Sequence, residues 1–302
     1  MLHNGGDVMK TLKQHMRNNL YNQNMQGSSK HAVKVASNHR ATEQVQGIYS
    51  IQTMKAYLQT VNEYGDWLKE QGIKRYDDID IARDMIKDYL EYRDAQGLSA
   101  WTINKDRAAL NKCFNTNIEY KTCTKTINIT RSRFSCEYEK HYNPNGKYKH
   151  LFDFCKATGL RRHEVEQIRP SDLKERNGRY FVVVQQGKGG KYRESFILPQ
   201  YQKEVLSLFR DRQGEEKLFD KVPRNIDIHS LRGQYAKSVY NHILENKEDK
   251  DFLRKDYDCK LKGTYYMRGD YKGNNFDKEY VEVVSKCLGH NRIDTAICSY
   301  LL

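Results

Sequence analysis

The sequence predicts a mainly α-helical protein that carries one small antiparallel sheet. Apolar residues recur at helical spacing across residues 50–115. Two short apolar runs rich in β-branched and aromatic residues flank a glycine turn at 187–190, which indicates a hairpin. The length of 302 residues favours two domains, and 38% hydrophobic residues together with 19 glycines suffice for packed cores.

The net charge of the chain is strongly positive. The 52 lysines and arginines outnumber the 39 acidic residues, which gives +13 at neutral pH. A balance of this size points to a polyanionic partner such as a nucleic acid, although a merely soluble basic protein is the alternative.

The seven cysteines are scattered and odd in number, and no CxxC pair occurs. A disulfide framework and a zinc ribbon are therefore not expected, and a reducing cytoplasm fits best. No apolar run approaches ~20 residues, so no membrane span is expected. Residues 1–30 lack the apolar centre of a signal peptide.

Residues 1–44 are polar and rich in Lys, Asn, Gln and His. They predict a basic N-terminal arm, mobile or partly helical, that either contacts DNA or has no role.

Residues 45–120 predict an all-helical module. Apolar positions between 51 and 68 predict a first helix, those between 81 and 90 a second, and those between 101 and 114 a third after Ser99. We expect the aromatic residues of the module to lie in its core.

The third predicted helix also carries three basic side chains, Lys105, Arg107 and Lys112. They are candidates for DNA contacts, but a solvated helix face explains them equally well.

A linker is predicted at 121–146, where periodicity is lost and the segment NPNG closes the stretch. The second domain then spans 147–302. It begins with a helix at 148–157, and the strands 180–184 and 194–198 form the hairpin. Further helices are predicted at about 201–212, 229–245 and 278–288.

Arg161 and Glu164 lie three residues apart in the helix-like segment TGLRRHEVEQI. An arginine there could offer its planar fork to a phosphate while the glutamate orients it. Taken alone, the spacing is more typical of a surface ion pair. The segment also resembles the zinc-protease HExxH motif, but Gln167 replaces the second histidine.

His229 and Arg232 repeat this spacing in NIDIHSLRGQYA, where Asn225 or Asp227 could cap a helix. The two side chains would then share a face. A histidine at a helix start beside a solvated arginine is the simpler interpretation of the pair alone.

Lys188 lies in the turn of the predicted hairpin, and Lys191 follows it. A lysine on such a tip could protonate a leaving oxygen, or it could simply be a charged turn residue. The order GxxxxGK[ST] of a phosphate-binding P-loop is not present.

His290 follows Gly289, which we expect to end a helix, and Tyr300 comes near the end of the sequence. A tyrosine phenol ionises near pH ~10, so it needs nearby cations to act as a nucleophile. Tyr300 is one of 22 tyrosines, so by itself it is weak evidence for a catalytic nucleophile. The combined set of candidate residues is stronger evidence for a catalytic site.

Taken in order, TGLR-xx-E, GKGGK-x-R, H-x-L-R and LGH with a later tyrosine resemble the catalytic domain of the tyrosine recombinase (phage integrase) family. The helical module is similar to the core-binding domain of that family. The resemblance spans roughly residues 45–302.

The resemblance implies that Arg161 and Arg232 clamp the scissile phosphate while His229 and His290 bind its oxygens and assist proton movement. Lys188 would be the general acid, Tyr300 would attack to give a 3′-phosphotyrosyl link, and Glu164 would support Arg161. Apart from the resemblance, Lys191 is a candidate for a DNA contact and the second candidate for the general-acid role.

By the same resemblance, no cofactor or metal is expected. The partners would be double-stranded DNA and further copies of the chain, as a homotetramer on paired DNA sites. An accessory factor that sets directionality is a further partner that the family allows. The expected function is a site-specific recombinase, the integrase or excision enzyme of a mobile genetic element.

Two other functions stay open: a type IB topoisomerase-like relaxing enzyme and a catalytically silent DNA-binding regulator. The chain also departs from compact relatives by a long stretch between Arg232 and the LGH motif. This stretch includes a charged segment at 247–256 and a predicted hairpin at 262–277. It is either a surface elaboration or a contact with DNA or another subunit.

Overall fold

The computed structural model describes residues 10–37, 45–123, 146–187, 190–268 and 271–302. The chain divides into two compact units, residues 1–129 and residues 130–302. The predicted linker at 121–146 lies almost entirely outside the described residues.

The described part of the first unit is helical. Its helices are Leu12–Tyr21 (α1), Lys30–Ala36 (α2), Ile51–Glu70 (α3), Ile79–Asp84 (α4), Ile86–Ala95 (α5) and Ala100–Phe114 (α6). The second predicted helix is therefore two helices, which meet at Met85 (φ −83°, ψ 2°).

Aromatic rings fill the core of the first unit, as predicted. The Tyr64 ring lies 4.8 Å from the Tyr89 ring and 5.9 Å from the Trp67 ring. Tyr76 (51% exposed) and Tyr92 (39%) contradict the expectation that the aromatic residues of the module lie in its core. So does Trp101, which is 49% exposed near the start of α6. Its position lies outside the apolar stripe that includes Ile103 and Leu110.

Helix α1 is part of this core, although it lies within the stretch predicted as a basic arm. Leu12, Met16 and Leu20 are buried at the i, i+4 and i+8 positions of one helix face. A capping box at Thr11 satisfies the first backbone donors of the helix. Residues 22–37 of the predicted arm are also described and include α2, whereas 1–9 and 38–44 lie outside the described residues.

The second unit is helical with two small sheets. Its helices are Lys149–Thr158 (α7), Arg162–Val165 (α8), Gln202–Arg210 (α9), Ile228–Glu245 (α10), Lys247–Asp256 (α11), Lys278–Cys287 (α12) and Ile293–Ala296 (α13), and its strands are Leu173–Arg176 (β1), Arg179–Val184 (β2), Arg193–Phe196 (β3), Thr264–Tyr266 (β4) and Asn275–Asp277 (β5).

The predicted hairpin is present as β2 and β3, which pair antiparallel with Phe181 opposite Phe196. The sheet has a third strand, β1, that the sequence pattern does not predict. None of the four residues in its sequence, LKER, is a strong β-former, so the segment gives little strand signal. The pairing of β2 with β3 places Gly187, where the glycine turn begins, just beyond the end of β2.

The long stretch between Arg232 and the LGH motif forms helix α11 and the hairpin β4–β5, in agreement with the predicted hairpin. Arg179 of β2 anchors α11 through bonds to Asp249 (2.7 Å) and Glu248 (2.9 Å). The hairpin and α12 are joined by a backbone bond of 2.9 Å from Lys278 to Gly263. No helix in the described part of the chain has the length and apolar character needed to cross a membrane.

Candidate active site

Arg232 lies at the centre of the candidate site and is only 1% exposed. Its Nε donates a hydrogen bond of 3.2 Å to the Tyr300 hydroxyl. Its two Nη atoms donate to the backbone carbonyls of Gly159 and Leu288. One guanidinium group therefore joins the turn before α8, the end of α12 and the C-terminal turn.

Helix α10 begins where its sequence predicts, and this places both residues of the H-x-L-R motif. The Asp227 side chain accepts from the Ser230 backbone N–H at 3.0 Å, so Asp227 rather than Asn225 is the cap. His229 is exposed while Arg232, one turn later, is buried. The His229 ring lies 5.5 Å from the Tyr300 ring.

Tyr300 lies in a π-helical turn, Ile297–Leu301, that continues from α13. A backbone bond of 3.1 Å from Leu302 to Ile297 closes this wider turn. The tyrosine side chain is 4% exposed. The rings of His229 and His290 (5.7 Å) and the Arg232 guanidinium carbon (5.5 Å) surround its ring.

A glycine turn after α12 positions His290. Gly289 adopts a left-handed φ of +68°, and its N–H bonds to the Lys286 carbonyl at 2.9 Å. The His290 N–H then donates to the Ser285 carbonyl at 2.8 Å. Gly289 thus follows the end of the helix, as predicted.

Arg161 stands one residue before α8 as its N-cap, so it does not lie within the same helix as Glu164. Instead, the Glu164 carboxylate folds back and accepts from the Arg161 backbone N–H (2.7 Å) and from its Nη1 (3.0 Å). Glu164 is 4% exposed, so this is not a surface ion pair. Arg161 Nη2 reaches the Leu288 carbonyl at 3.5 Å, the same oxygen that Arg232 contacts.

Arg193 on β3 is a second partner of Glu164, although the two residues lie 29 positions apart in the sequence. Its Nη1 and Nη2 bind the two carboxylate oxygens at 2.7 and 2.8 Å. Burial acts to raise the pKa of the Glu164 carboxyl, but Arg193 and Arg161 outweigh it and hold the pKa at about 2. The available sequence signal is the arginine of GKGGK-x-R, to which no role was assigned above.

The positive charge at the centre persists at neutral pH. Burial is the largest cause that lowers the pKa of the Arg232 guanidinium, Arg161 and Arg193 act in the same direction and the Tyr300 hydroxyl acts against them, and the resulting pKa is about 10. A pKa near 10 still leaves Arg232 protonated at pH 7. The site therefore holds three arginines with one compensating buried carboxylate, a distribution suited to an anion.

A cavity of about 650 Å³ opens beside these groups. It is lined by Arg161, Arg162, His163, Arg224, Asn225, Ile226, Asp227, Ile228, His229 and Arg232. Among these described residues, Asp227, the helix cap, is the one acid. Arg162 shapes the wall, because its guanidinium donates to the carbonyls of Pro223 (2.9 Å), Arg224 (3.2 Å) and Ile226.

Lys188 lies outside the described residues, so its predicted role stays a prediction. Lys191 is exposed, and its carbonyl accepts from the Gly187 N–H at 2.8 Å across the turn. No group of three or more His, Cys, Asp and Glu within the described ranges is arranged to hold a metal ion.

The three basic candidates of the first unit are half-buried on α6. Lys105 pairs with Asp106 at 3.0 Å, Arg107 reaches the Tyr120 carbonyl at 3.3 Å, and Lys112 binds the Val45 carbonyl at 2.8 Å. Burial lowers the pKa of the Lys112 ammonium. Their predicted contact with DNA stays a prediction.

Comparison with protein families matches residues 44–119 to the phage integrase, N-terminal SAM-like domain. Comparison with curated proteins gives no significant match.

Solved structures of two recombination proteins match nearly the whole chain. The XerH site-specific recombinase, bound to a palindromic difH substrate in a post-cleavage complex, shares 16% identity at a TM-score of 0.51, with 95% of this chain and 90% of that chain covered. The Tn1549 transposon integrase in complex with circular intermediate DNA shares 14% identity at a TM-score of 0.47, with 96% and 94% covered. The predicted resemblance to the phage integrase family is therefore confirmed over residues 44–119 by the family match, and the XerH structure shows that the chain shares the fold of that site-specific recombinase.

Proposed function

We propose that this protein is a site-specific DNA recombinase that cleaves and rejoins DNA through a 3′-phosphotyrosyl intermediate. The observation that carries the proposal is the hydrogen bond from the buried Arg232 to the Tyr300 hydroxyl, with the His229 and His290 rings close to the same tyrosine. A phenol held by a guanidinium beside a strongly basic cavity is equipped to attack a phosphate.

Arg161 and Arg232 bind the scissile phosphate in this proposal. In its described contacts, Arg232 uses three of its five N–H groups, on Tyr300, Gly159 and Leu288. The other two remain for phosphate oxygens, and Arg161 adds a second fork where both guanidinium groups meet at the Leu288 carbonyl. Preorganised cations of this kind stabilise the charge that gathers on phosphate oxygens in the transition state.

In the cleavage step, the Tyr300 oxygen forms a bond to phosphorus and the bond from phosphorus to the 5′ oxygen breaks. The 5′ oxygen keeps the electron pair and takes a proton from Lys188. His229 and His290 bind phosphate oxygens, and one of the two receives the proton of the Tyr300 hydroxyl. The strand is rejoined when a 5′ hydroxyl attacks the phosphotyrosine and releases Tyr300. The ester conserves the bond energy, so the cycle needs no nucleotide.

Tyr300 is too deeply buried to touch a duplex without some movement. We infer that the turn Ile297–Leu301 shifts when DNA enters the cavity and competes for Arg232. The phosphate would then bind the two remaining N–H groups of the guanidinium, which compensates for the contacts that the shift breaks.

The partner is double-stranded DNA, and the assembly that exchanges strands is a homotetramer on paired sites. The XerH structure, which is bound to a difH substrate, supports a DNA substrate for the shared fold. Within this class we propose the integrase or excision enzyme of a mobile genetic element. This finer role is tested by sequencing the junctions that flank the gene, where repeats at a crossover site are expected.

A nicked suicide substrate tests the chemistry. The wild-type protein should accumulate a covalent adduct that resists EDTA, and Tyr300→Phe should form none while its DNA affinity stays within about twofold, since only the nucleophile is lost. Tyr266→Phe is the matched control, because this tyrosine is 69% exposed on the β4–β5 hairpin. An adduct in the Tyr300→Phe protein would assign the nucleophile elsewhere.

The adduct assay and a plasmid relaxation assay together separate the two alternative functions. A silent regulator would bind DNA and form no adduct in any form of the protein. A relaxing enzyme would remove supercoils from plasmids that lack the crossover site, whereas the proposed recombinase should not.

A further inference from the structure

Arg193 lies on strand β3, but its guanidinium contacts residues of the candidate site rather than other residues of the sheet. The residue is 8% exposed, and its guanidinium faces the Glu164 carboxylate in a two-point contact of 2.7 and 2.8 Å. Its Nε also donates to the carbonyl of Cys287 at 3.3 Å, at the end of α12. These contacts connect β3 to the segments that carry Arg161 and His290.

Two glycines lie directly against the Arg193 side chain. A Cβ at Gly289 would come within 2.4 Å of Arg193 Cδ and 3.1 Å of its Nε. A Cβ at Gly187 would lie 3.4 Å from Arg193 Nη1 and 3.5 Å from Glu164 Oε1. Gly187 begins the glycine turn and Gly289 precedes His290, so the side chain packs against the base of both segments.

We propose that Arg193 is a positioning residue that sets the relative placement of Arg161, the Gly187 backbone and the His290 turn. It acts through Glu164, through the Cys287 carbonyl and through contact with Gly187 and Gly289, and it touches neither the phosphate nor Tyr300. This inference rests on the proposed function, because its consequence is a rate of DNA cleavage.

The geometry requires an arginine. The planar guanidinium occupies both oxygens of Glu164 and still has Nε for the Cys287 carbonyl, three contacts from one planar group. A lysine keeps the charge but presents a single ammonium on a flexible stem, so it cannot hold the three partners in register. Small displacements of groups that align a reacting phosphate are costly, about 10²-fold in rate per ångström.

The test compares single-turnover adduct formation on a nicked suicide substrate with DNA affinity. Arg193→Lys should cleave about tenfold more slowly than the wild type and Arg193→Met about a hundredfold, both with DNA affinity within about threefold, because neither variant removes a phosphate contact. Arg179→Met is the matched control. Arg179 lies on the neighbouring strand β2 and also binds two carboxylates, but these belong to α11 rather than to the candidate site. This variant should therefore cleave at the wild-type rate.

A pH profile distinguishes positioning from a merely structural role. Glu164 faces Arg161 and Arg193, and His163 Nε2 lies 3.9 Å from it. Without Arg193 the pKa of the Glu164 carboxyl is less strongly lowered, so cleavage by Arg193→Met should show an extra decline on acidification, beginning at a higher pH than any decline in the wild type. The double variant Arg193→Met/Glu164→Gln, which retains His163, should lack this extra decline. It should cleave only slightly more slowly than Arg193→Met does.

The outcomes separate the two proposals. A wild type that forms no adduct overturns the proposed function and this inference with it. A cleaving wild type with Arg193→Lys unchanged in rate overturns the role of Arg193 alone, as does an Arg193→Met profile parallel to the wild type. If Arg193→Met fails to give a folded protein by circular dichroism, Arg193→Lys, which keeps the buried charge, decides the question by its rate.

Discussion

Glu164 shows how a buried carboxylate can organise a cationic site. It is ionised with two arginines as partners, and these ion pairs offset part of the cost of burying the charges. The pair with Arg161 is evident in the sequence, but the pair with Arg193 is not. Glu164 and Arg193 lie 29 positions apart, and only the packing of β3 against α12 and α8 brings them together. Pairs formed by tertiary packing leave no local spacing to recognise.

This arrangement predicts a specific acid sensitivity. The folded-state pKa of Glu164, about 2, lies below its ordinary value of 4.5, so its ionisation contributes stability that is fully present above about pH 4.5. That contribution is lost as pH falls from about 4.5 toward 2. We therefore expect Glu164→Gln to be destabilised relative to the wild type at pH 7, and the difference to shrink at pH 3.

The measurement is denaturant unfolding followed by circular dichroism at several pH values, for wild type and variant in parallel. The comparison matters because Glu194 and Asp294 also have lowered pKa values through neighbouring cations and contribute to acid sensitivity in both proteins. A difference between wild type and Glu164→Gln that stays constant from pH 7 to pH 3 would contradict the assignment.

At the scale of elements, the site depends on short turns more than on the helices between them. The glycine turn after α12, the residue before α8 and the π-helical turn each present one functional side chain. Long helices such as α10 are predicted nearly to the residue, because repeated apolar spacing averages over many positions. The four-residue helix α8 and the strand β1 carry too few residues for such averaging.

The helix α1 illustrates a different limit of sequence reasoning. Its three buried residues, Leu12, Met16 and Leu20, are separated by polar ones in a segment of low overall hydropathy. Composition therefore favours an exposed arm, whereas the strict four-residue spacing of the three is enough to bury one narrow face.

The glycine turn gives the prediction at this scale. Gly289→Ala places a Cβ 2.4 Å from Arg193 Cδ at a left-handed φ of +68°, so both the backbone and the Arg193 contact must yield. We expect a loss of more than about tenfold in adduct formation together with a fall in thermal stability.

Gly263→Ala is the matched control for the backbone effect. Gly263 has a φ of +80° in the same unit, and a Cβ added there would meet no atom of the described residues within 4 Å. The substitution should lower stability by about 1 kcal/mol and leave the cleavage rate of the folded protein unchanged. Equal losses of cleavage in both variants would mean that backbone strain, not the Arg193 contact, is responsible.

At the scale of the whole molecule, the net charge of +13 has a local counterpart at the candidate site. The cavity beside Tyr300 is lined by four arginines, and the side chain of one of them, Arg224, is exposed there. The charge alone indicates a polyanionic partner, and the motifs locate the candidate active site. The partners of Arg162 could not be predicted, because it binds carbonyls about sixty residues away in the sequence.

Binding of DNA should therefore depend steeply on salt. Each phosphate that the protein neutralises releases condensed counterions, so a plot of log affinity against log salt should fall with a slope of about −0.9 for each phosphate contacted. Arg224→Gln should make this slope shallower by about 1 without altering the cleavage rate of bound substrate, because it removes one phosphate contact from the cavity wall. The affinity of Tyr266→Phe, which keeps every charge, should follow the wild-type line.

Fluorescence anisotropy with a labelled duplex between about 50 and 300 mM salt measures the affinities of the wild type, Arg224→Gln and Tyr266→Phe. An affinity of the wild type that does not change with salt would contradict a phosphate-binding cavity.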